Sequence, residues 1–329
     1  MTTCSPPLAA AVADGFRQAL AAAEAFAGAT APNPPVGCAV LDAQGVVLAC
    51  VAHQRAGGPH AEAAALAACR EASLVDRVHT LVVTLEPCNH HGATSPCVEA
   101  ILASPAKAIW IGSRDPNPAV TGQGGARLAR AGLEVSFIRD LDHRDAEDLS
   151  HQAARLIAPF AMWSVQGRPW LTLKQALTAD GGMVPPAGAK TFTSQISLAL
   201  AHRLRRRVDA IVTGSGTILA DAPLFAVRRV PDPRQAPRRL AILDRRRRTP
   251  ASYLDEARGR GFEVSLHDDI PALLADLAAS GVLEALVECG PTLLGAFLAT
   301  DLWDERVTIR QGPRPGEPDT VEIANRLTA

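Results

Sequence analysis

The sequence predicts an α/β protein built as two layered domains. Three observations carry that expectation. The chain has 329 residues, about twice the usual size of one domain. Short β-branched runs alternate with Ala-rich helical runs in both halves, the pattern of layered α/β architecture. The alternation begins afresh after Gly167-Arg168-Pro169, and with the preceding helix given to the second half the boundary falls near residue 147, making domains 1–146 and 147–329.

The first half reads element by element. Ala-rich Leu8 to Phe26 predicts an amphipathic helix, ended before Pro32-Asn33-Pro34-Pro35 because successive prolines cannot continue helical hydrogen bonding. Gly37 to Asp42 and Val46 to Val51 flank Ala43-Gln44-Gly45 and predict a hairpin. His60 to Ala72 is helical by composition. Val78 to Leu85 predicts a strand, Cys97 to Ser104 a short helix, Ala108 to Ile111 a strand, and Ala126 to Ala131 a helix. Asp145 to Ala158 predicts one more helix.

The second half repeats the alternation. Trp170-Leu171-Thr172-Leu173 is strand-like, followed by helix Ile196 to Arg207, strands Ala210 to Thr213 and Leu240 to Leu243, helix Ile270 to Ser280, and strand Ala285 to Glu288. No period of solenoid length is visible.

Composition excludes several classes. Hydrophobic residues are 47% and charged residues 20%, ordinary globular usage rather than disorder, collagen or coiled coil. The net charge of −1, from 33 Lys+Arg and 34 Asp+Glu, gives no global argument for a polyanion or membrane-surface partner. No apolar run is long enough to span a bilayer, and the start lacks a charged n-region, so a cytoplasmic protein is expected. Seven cysteines, Cys4, Cys38, Cys50, Cys69, Cys88, Cys97 and Cys289, make an odd set that argues against a disulfide framework and leaves some for metal.

Gly57-Gly58-Pro59-His60-Ala61-Glu62 opens one helix, and Glu86-Pro87-Cys88 through Cys97 follows a strand and opens another. Helix N-termini favour thiolate over thiol, which prepares Cys88 and Cys97 as zinc ligands with His60 as the third. Three protein ligands and one open position for water mark a catalytic rather than structural zinc. Glu62, two residues beyond His60, stands where a carboxylate can shuttle protons. Singly, a buried cysteine is a small hydrophobe and His60 a helix-cap residue; the four together match the H-x-E…P-C-x-x-C pattern of zinc nucleobase deaminases. The match departs in spacing, because eight residues rather than two separate Cys88 from Cys97.

In the second half, Thr213-Gly214-Ser215-Gly216-Thr217 follows a strand and could let backbone approach a phosphate, although Leu219 stands where a third glycine would be. Lys174 and Glu288 end strands and Asp221 follows the Gly-rich turn; in open α/β sheets, strand ends are where ligands bind. Taken singly, each of these charges reads as a solvated surface group.

The chain resembles the bifunctional riboflavin-biosynthesis enzymes, a pyrimidine deaminase fused to a 5-amino-6-(5-phosphoribosylamino)uracil reductase. The first-half segments that carry the likeness are Pro32-Asn33-Pro34, Val36-Gly37-Cys38, His53, Ala56-Gly57-Gly58-Pro59-His60-Ala61-Glu62, Thr84-Leu85-Glu86-Pro87-Cys88 and Arg114-Asp115-Pro116-Asn117-Pro118. In the second half they are Leu173-Lys174, Thr178-Ala179-Asp180-Gly181, Arg203-Leu204-Arg205, Gly216-Thr217-Ile218-Leu219-Ala220-Asp221, Leu243-Asp244, Arg248-Thr249-Pro250 and Val287-Glu288 with Gly290-Pro291-Thr292-Leu293. In that family the long step between the two cysteines is normal.

The resemblance implies a cytidine-deaminase-like three-layer domain followed by a dihydrofolate-reductase-like domain, with zinc and NADPH as cofactors. It implies that His60, Cys88 and Cys97 bind zinc, that Glu62 is the proton shuttle, and that Asn33, His53 and His90 contact substrate. In the second domain it implies Lys174, Ala176, Thr217, Asp221, Gly290, Pro291 and Thr292 for NADPH, and Arg205, Arg228 and Glu288 for substrate; guanidinium groups suit a substrate phosphate. The implied partner is a small phosphorylated pyrimidine, with no nucleic acid, no membrane, and a homodimer as the assembly.

The chain departs from the family pattern at several points. Ala93 replaces a loop cation, which implies weaker phosphate recognition. Phe192, Lys190, Ala222 and Phe225 replace a Trp, a small polar residue, an Asp and a smaller aliphatic. The tail after Leu302-Trp303-Asp304-Glu305 reads as if the family's last strands were missing or reshaped. Two rival readings follow: a deaminase whose second domain is a degenerate dimerisation module, and a nucleic-acid editing deaminase. The second rests on nine arginines from Arg228 to Arg248, but no aromatic residue is interleaved to stack bases, which favours a solvated basic face or a phosphate loop.

Overall fold

The computed structural model describes residues 6–90, 95–118, 120–184, 191–314 and 317–326. Ala93 and Lys190 lie outside them. Contacts divide the chain into two units, Met1–Val165 and Gln166–Ala329.

The first unit runs α1 (Pro6–Ala25), β1 (Gly37–Leu41), β2 (Val47–Ala52), α2 (Ala61–Glu71), β3 (Thr80–Leu85), α3 (Cys97–Leu102), β4 (Ala108–Ser113), α4 (Gln123–Arg130), β5 (Glu134–Phe137) and α5 (Ala146–Gln166). Its sheet has the order β2-β1-β3-β4-β5. The hairpin strand β1 is antiparallel to both neighbours, and β3, β4 and β5 are parallel. Side chains alternate across a strand, and here the alternation makes two cores. Cys38, Val40, Leu81 and Val83 face Ala65 and Leu66 of α2, Val98 and Ile101 of α3, and Leu128 of α4. Ala39, Leu41 and Val82 face Val12 and Phe16 of α1 and Leu149 and Ala153 of α5. The sheet is therefore the middle of three layers.

The placement of α5 differs from the boundary expected at residue 147. Its residues Ala146, Leu149 and Ala153 complete the α1-side core, so the helix closes the first unit instead of opening the second. It also continues through Pro159 to Gln166, past the expected end at Ala158; apolar packing of its earlier turns outweighs the one hydrogen bond that proline removes. The short strand β5 escaped the sequence reading.

The second unit runs β6 (Trp170–Leu177), α6 (Gln195–Arg207), β7 (Ala210–Gly214), α7 (Ser215–Asp221), β8 (Arg238–Leu243), α8 (Ala251–Gly259), β9 (Phe262–His267), α9 (Ile270–Ala279), β10 (Glu284–Glu288), α10 (Pro291–Ala299), β11 (Glu305–Arg310) and β12 (Thr320–Asn325). The sheet order is β12-β11-β6-β10-β7-β8-β9, parallel except for the edge strand β12. Leu171, Val212 and Val287 face Leu277 of α9 and Phe297 of α10. Ile211, Ile242 and Leu286 face Leu204 of α6 and Tyr253 of α8. Helices on both faces force buried strands with nearly continuous apolar runs, as the sequence shows.

The tail does form strands. β11 inserts in parallel beside β6, and β12 pairs back along its whole length from Glu305↔Asn325 to Arg310↔Thr320. Buried ion pairs hold this side together. Arg168 binds Asp304 through two hydrogen bonds of 2.7 Å, and Asp304 also accepts the Leu171 N–H at 2.8 Å. Arg207 binds both Glu284 and Glu305.

Four of the nine arginines from Arg228 to Arg248 are held in local ion pairs. Arg234 pairs with Asp209 and Arg238 with Asp232, both at 2.7 Å, while Arg239 meets Asp276 and Arg247 meets Asp268 at 3.2 Å. Among the described residues no helix is long and apolar enough to cross a membrane.

Candidate active sites

In the first unit, α2 starts after an extended His60 whose side chain caps nothing, so the cap reading of that residue fails. Its ring turns instead to the start of α3. His60 Nδ1 lies 3.5 Å from Cys88 Sγ and 3.3 Å from Cys97 Sγ, and the three ligand atoms lie within 4.8 Å of one another. One nitrogen and two sulfurs bound tetrahedrally at ordinary zinc distances sit roughly 3.5 Å apart. The donor set and its spacing therefore fit zinc.

The Cys97 N–H donates to Cys88 Sγ at 3.3 Å, a main-chain contribution that favours negative charge on that sulfur. The Cys88 thiol is pulled down to about 4, first by the hydrogen bond from the Cys97 thiol, with burial opposing and His60 adding to the effect. Glu62 is 3% exposed. Burial pushes its carboxyl above the usual range, and it hydrogen-bonds the Cys97 thiol. A carboxyl whose hold on a proton is strengthened by burial beside the ligand set suits a proton shuttle.

Asn33 and His53 form the adjoining wall. The His53 Nδ1–H donates to the Pro59 carbonyl at 2.9 Å, which leaves Nε2 to accept from the Asn33 amide at 3.2 Å. The ring is T-shaped against His60 at 5.2 Å between centroids, and burial pushes its pKa down. His90 is exposed at the edge of the undescribed loop 91–94.

The segment carrying Cys88 is fixed from behind by a residue to which the sequence reading gave no role. Buried Glu86 accepts the N–H groups of Asp115, Gly122 and Gly125, at 3.3, 2.9 and 3.0 Å. Gly124, in the same clamp, has no room for a side chain: a Cβ there would stand 2.0 Å from the Pro87 carbonyl oxygen. Arg127 of α4 donates to Asn89 at 2.7 Å.

In the second unit the expected polar groups gather around the carboxyl end of β10, although Lys174 does not end its strand as expected: β6 continues to Leu177, paired with β11. Glu288 and Lys174 are register partners on neighbouring strands. Arg205 of α6 bonds one oxygen of Glu288, and the other oxygen, Oε1, is buried with no partner among the described residues. Positive charge from Arg205 and then Lys174 outweighs burial and holds the Glu288 carboxyl below its usual range. Thr217 Oγ1 accepts the Gly290 N–H at 3.0 Å, tying the start of α7 to that of α10. Helix α10 begins at Gly290 and Pro291 without a side-chain cap, which leaves first-turn N–H groups suited to a phosphate. These features fit a dinucleotide at the strand ends. Ala176 is half-buried, whereas Asp221, Arg228, Pro291 and Thr292 are exposed.

Residues 13–113 match the cytidine and deoxycytidylate deaminase zinc-binding region, and residues 169–311 match the RibD C-terminal domain. The riboflavin biosynthesis protein RibD of Aquifex aeolicus is 33% identical over 322 residues, covering 91% of this chain and 86% of that protein. The chain belongs to the RibD family.

Escherichia coli RibD is 32% identical over 84% of this chain and 81% of its own. The solved structure of Acinetobacter baumannii RibD superposes with a TM-score of 0.77 at 30% identity, covering 94% of this chain and 89% of that one. A Thermotoga maritima diaminohydroxyphosphoribosylaminopyrimidine deaminase/5-amino-6-(5-phosphoribosylamino)uracil reductase gives 0.79 at 27%, with the same coverage. The chain is thus a bifunctional RibD enzyme of riboflavin biosynthesis, with a zinc-binding deaminase domain and a reductase domain that uses NADPH. The RibD C-terminal match does not favour a degenerate second domain.

In this RibD protein the departures are local. Phe192 is half-buried. Ala222 ends α7 with φ of 39°, and Phe225, 3% exposed, has φ of 53°. The sequence reading passed over His202, whose signal was adjacency to Arg203-Leu204-Arg205.

Proposed function

We propose that the chain deaminates 2,5-diamino-6-(5-phosphoribosylamino)pyrimidin-4(3H)-one and then reduces the ribosyl group of the product to a ribityl chain. The observation that carries the reading is Glu62 buried beside His60, Cys88 and Cys97, in a chain whose second unit brings Arg205 of α6 and Lys174 of β6 to Glu288 at the end of β10.

Zinc held by His60, Cys88 and Cys97 supplies a water activated at neutral pH. The Glu62 carboxylate would hold the proton released as a water oxygen adds to the pyrimidine carbon bearing the 2-amino group. It then delivers the proton to the departing nitrogen, so that ammonia leaves and the 5-aminouracil compound remains. Asn33, His53 and His90 contact the substrate, with the Asn33 amide and His53 joined by a hydrogen bond.

In the second unit, Thr217, Asp221, Lys174, Ala176, Gly290, Pro291 and Thr292 bind NADPH. Arg205, Arg228 and Glu288 hold the substrate, with guanidinium groups on its phosphate. NADPH held there would supply a hydride to the sugar C1, the C1–O bond opening with a proton to the ring oxygen. The partner is this small phosphorylated pyrimidine rather than a nucleic acid: Arg234, Arg238, Arg239 and Arg247 are held in local ion pairs, and no aromatic residue is interleaved among the arginines to stack bases. A cytoplasmic homodimer is the setting.

Product mass spectrometry of the zinc-loaded chain tests the reading. Without NADPH the diaminopyrimidine should become the 5-aminouracil ribosyl compound, and with NADPH the ribityl compound. Recovery of unchanged substrate under both conditions contradicts it.

A further inference from the structure

His202 lies on α6, one turn before Arg205, and is 4% exposed. Its Nδ1 accepts the main-chain N–H of Arg228 at 3.1 Å. The segment that delivers this N–H leaves α7 through Ala222 and then Phe225, both in the left-handed region, which side chains other than glycine adopt at a cost. The Arg205 guanidinium stands over the Phe225 ring, 5.8 Å from its centroid, and is held to Glu288. One imidazole therefore joins the helix that carries Arg205 to the strained segment that carries Arg228.

We propose that His202 is a positioning residue of the reductase site: by accepting the Arg228 N–H it sets the spacing of the Arg205 and Arg228 guanidinium groups as a clamp for the 5′-phosphate of a ribose phosphomonoester. The proposal rests on the reductase reading above. The reach of a long side chain is set by where its backbone is pinned, and an unpinned segment must be ordered by the ligand at a cost in affinity. The hydrogen bond needs a neutral ring with a lone pair on Nδ1. Arg205 from the same helix, Arg228 and Arg229 from the segment, and Glu288 from β10 face that ring. Burial first, then the three guanidinium groups, push its pKa below the usual histidine value, with Glu288 opposing. Acidification removes the acceptor.

Two variants of the full zinc-loaded chain separate positioning from bulk structure. Asparagine offers an amide oxygen near the place of Nδ1, and leucine offers none. Calorimetry with ribose 5-phosphate and steady-state reduction of the deaminated substrate are the readouts. His202→Leu should raise the Kd for ribose 5-phosphate and the substrate KM roughly tenfold, the scale of one lost hydrogen bond, while kcat and the NADPH KM stay within about twofold. His202→Asn should stay close to the native values and should lose the extra weakening expected of the native chain as pH falls below the ordinary histidine range.

Native affinity in His202→Leu overturns the proposal, as does a fall in kcat with KM unchanged, equal impairment of both variants, or a native chain that does not bind ribose 5-phosphate. Should circular dichroism show His202→Leu unfolded, the pH profiles decide: the phosphate's own titration is common to both chains, so parallel profiles for native and His202→Asn overturn the proposal. A native chain that binds ribose 5-phosphate without oxidising NADPH contradicts the reductase reading alone and leaves the clamp supported.

Discussion

Arg205 donates to Glu288 through Nε at 3.0 Å and a terminal nitrogen at 2.8 Å, and both bonds end on the same carboxylate oxygen. The other oxygen is buried without a partner among the described residues. An unmatched buried acceptor costs about 1–3 kcal/mol, so this one is suited to a donor on a ligand. Glu288→Gln keeps the shape but removes the charge that holds Arg205. We expect kcat/KM for NADPH-dependent reduction to fall roughly 10- to 100-fold, the same energy expressed as a rate. Ammonia release should be unchanged, and parallel assays of both activities check it.

Glu62→Gln preserves the volume and the ligand set while removing proton transfer. Zinc content by atomic absorption should match the native chain, and ammonia release should fall about 10²- to 10⁴-fold. Full ammonia release in that variant would sink the assigned role. Chelating the zinc should likewise abolish ammonia release yet spare NADPH oxidation with the deaminated compound, and restoring zinc should bring the first activity back.

Much of this first site was legible because its chemistry is local. His60 and Glu62 share one helix start, and Cys88 and Cys97 bracket one loop and helix start. Glu86 was not legible as an anchor, because the N–H groups it accepts come from Asp115, Gly122 and Gly125, far along the chain. His202 was hidden for a related reason: its partner is the main chain of Arg228, placed by left-handed Ala222 and Phe225. Propensity also failed at α7, where Gly214 and Gly216 suggested a turn but Ile218 packs into the core and holds a helix. The expected boundary erred because the apolar face of α5 has its match in α1, across nearly the whole first unit.

Gly124→Ala should act on Cys88 at a distance. The new methyl meets the Pro87 carbonyl, and overpacking of this kind costs about 1–3 kcal/mol. Thermal unfolding should show a lower Tm, and competition with a chromophoric chelator should show weaker zinc binding. A variant with native zinc affinity would mean that the clamp does not set the ligand geometry.

Asp244 gives the second unit an acid-sensitive contact. Burial alone would raise its carboxyl, but the N–H groups of Arg248 and Thr249 and the hydroxyls of Thr249 and Ser215 outweigh it and hold the group at about 2. A depressed folded-state pKa contributes stability that is present above the ordinary carboxylate range and is lost as pH falls toward that value. The contribution is about 2 kcal/mol near neutrality. Asp244→Asn should therefore lower Tm at neutral pH and converge with the native chain near pH 2. An offset independent of pH would contradict this.

The central claim is that one chain performs both reactions in sequence, and the most direct measurement is the ratio of ammonia released to NADPH consumed when the native, zinc-loaded chain is given the diaminopyrimidine substrate. The account predicts equal final amounts, with ammonia appearing first. Ammonia release with no NADPH consumption, even when the deaminated intermediate is supplied directly, would contradict it.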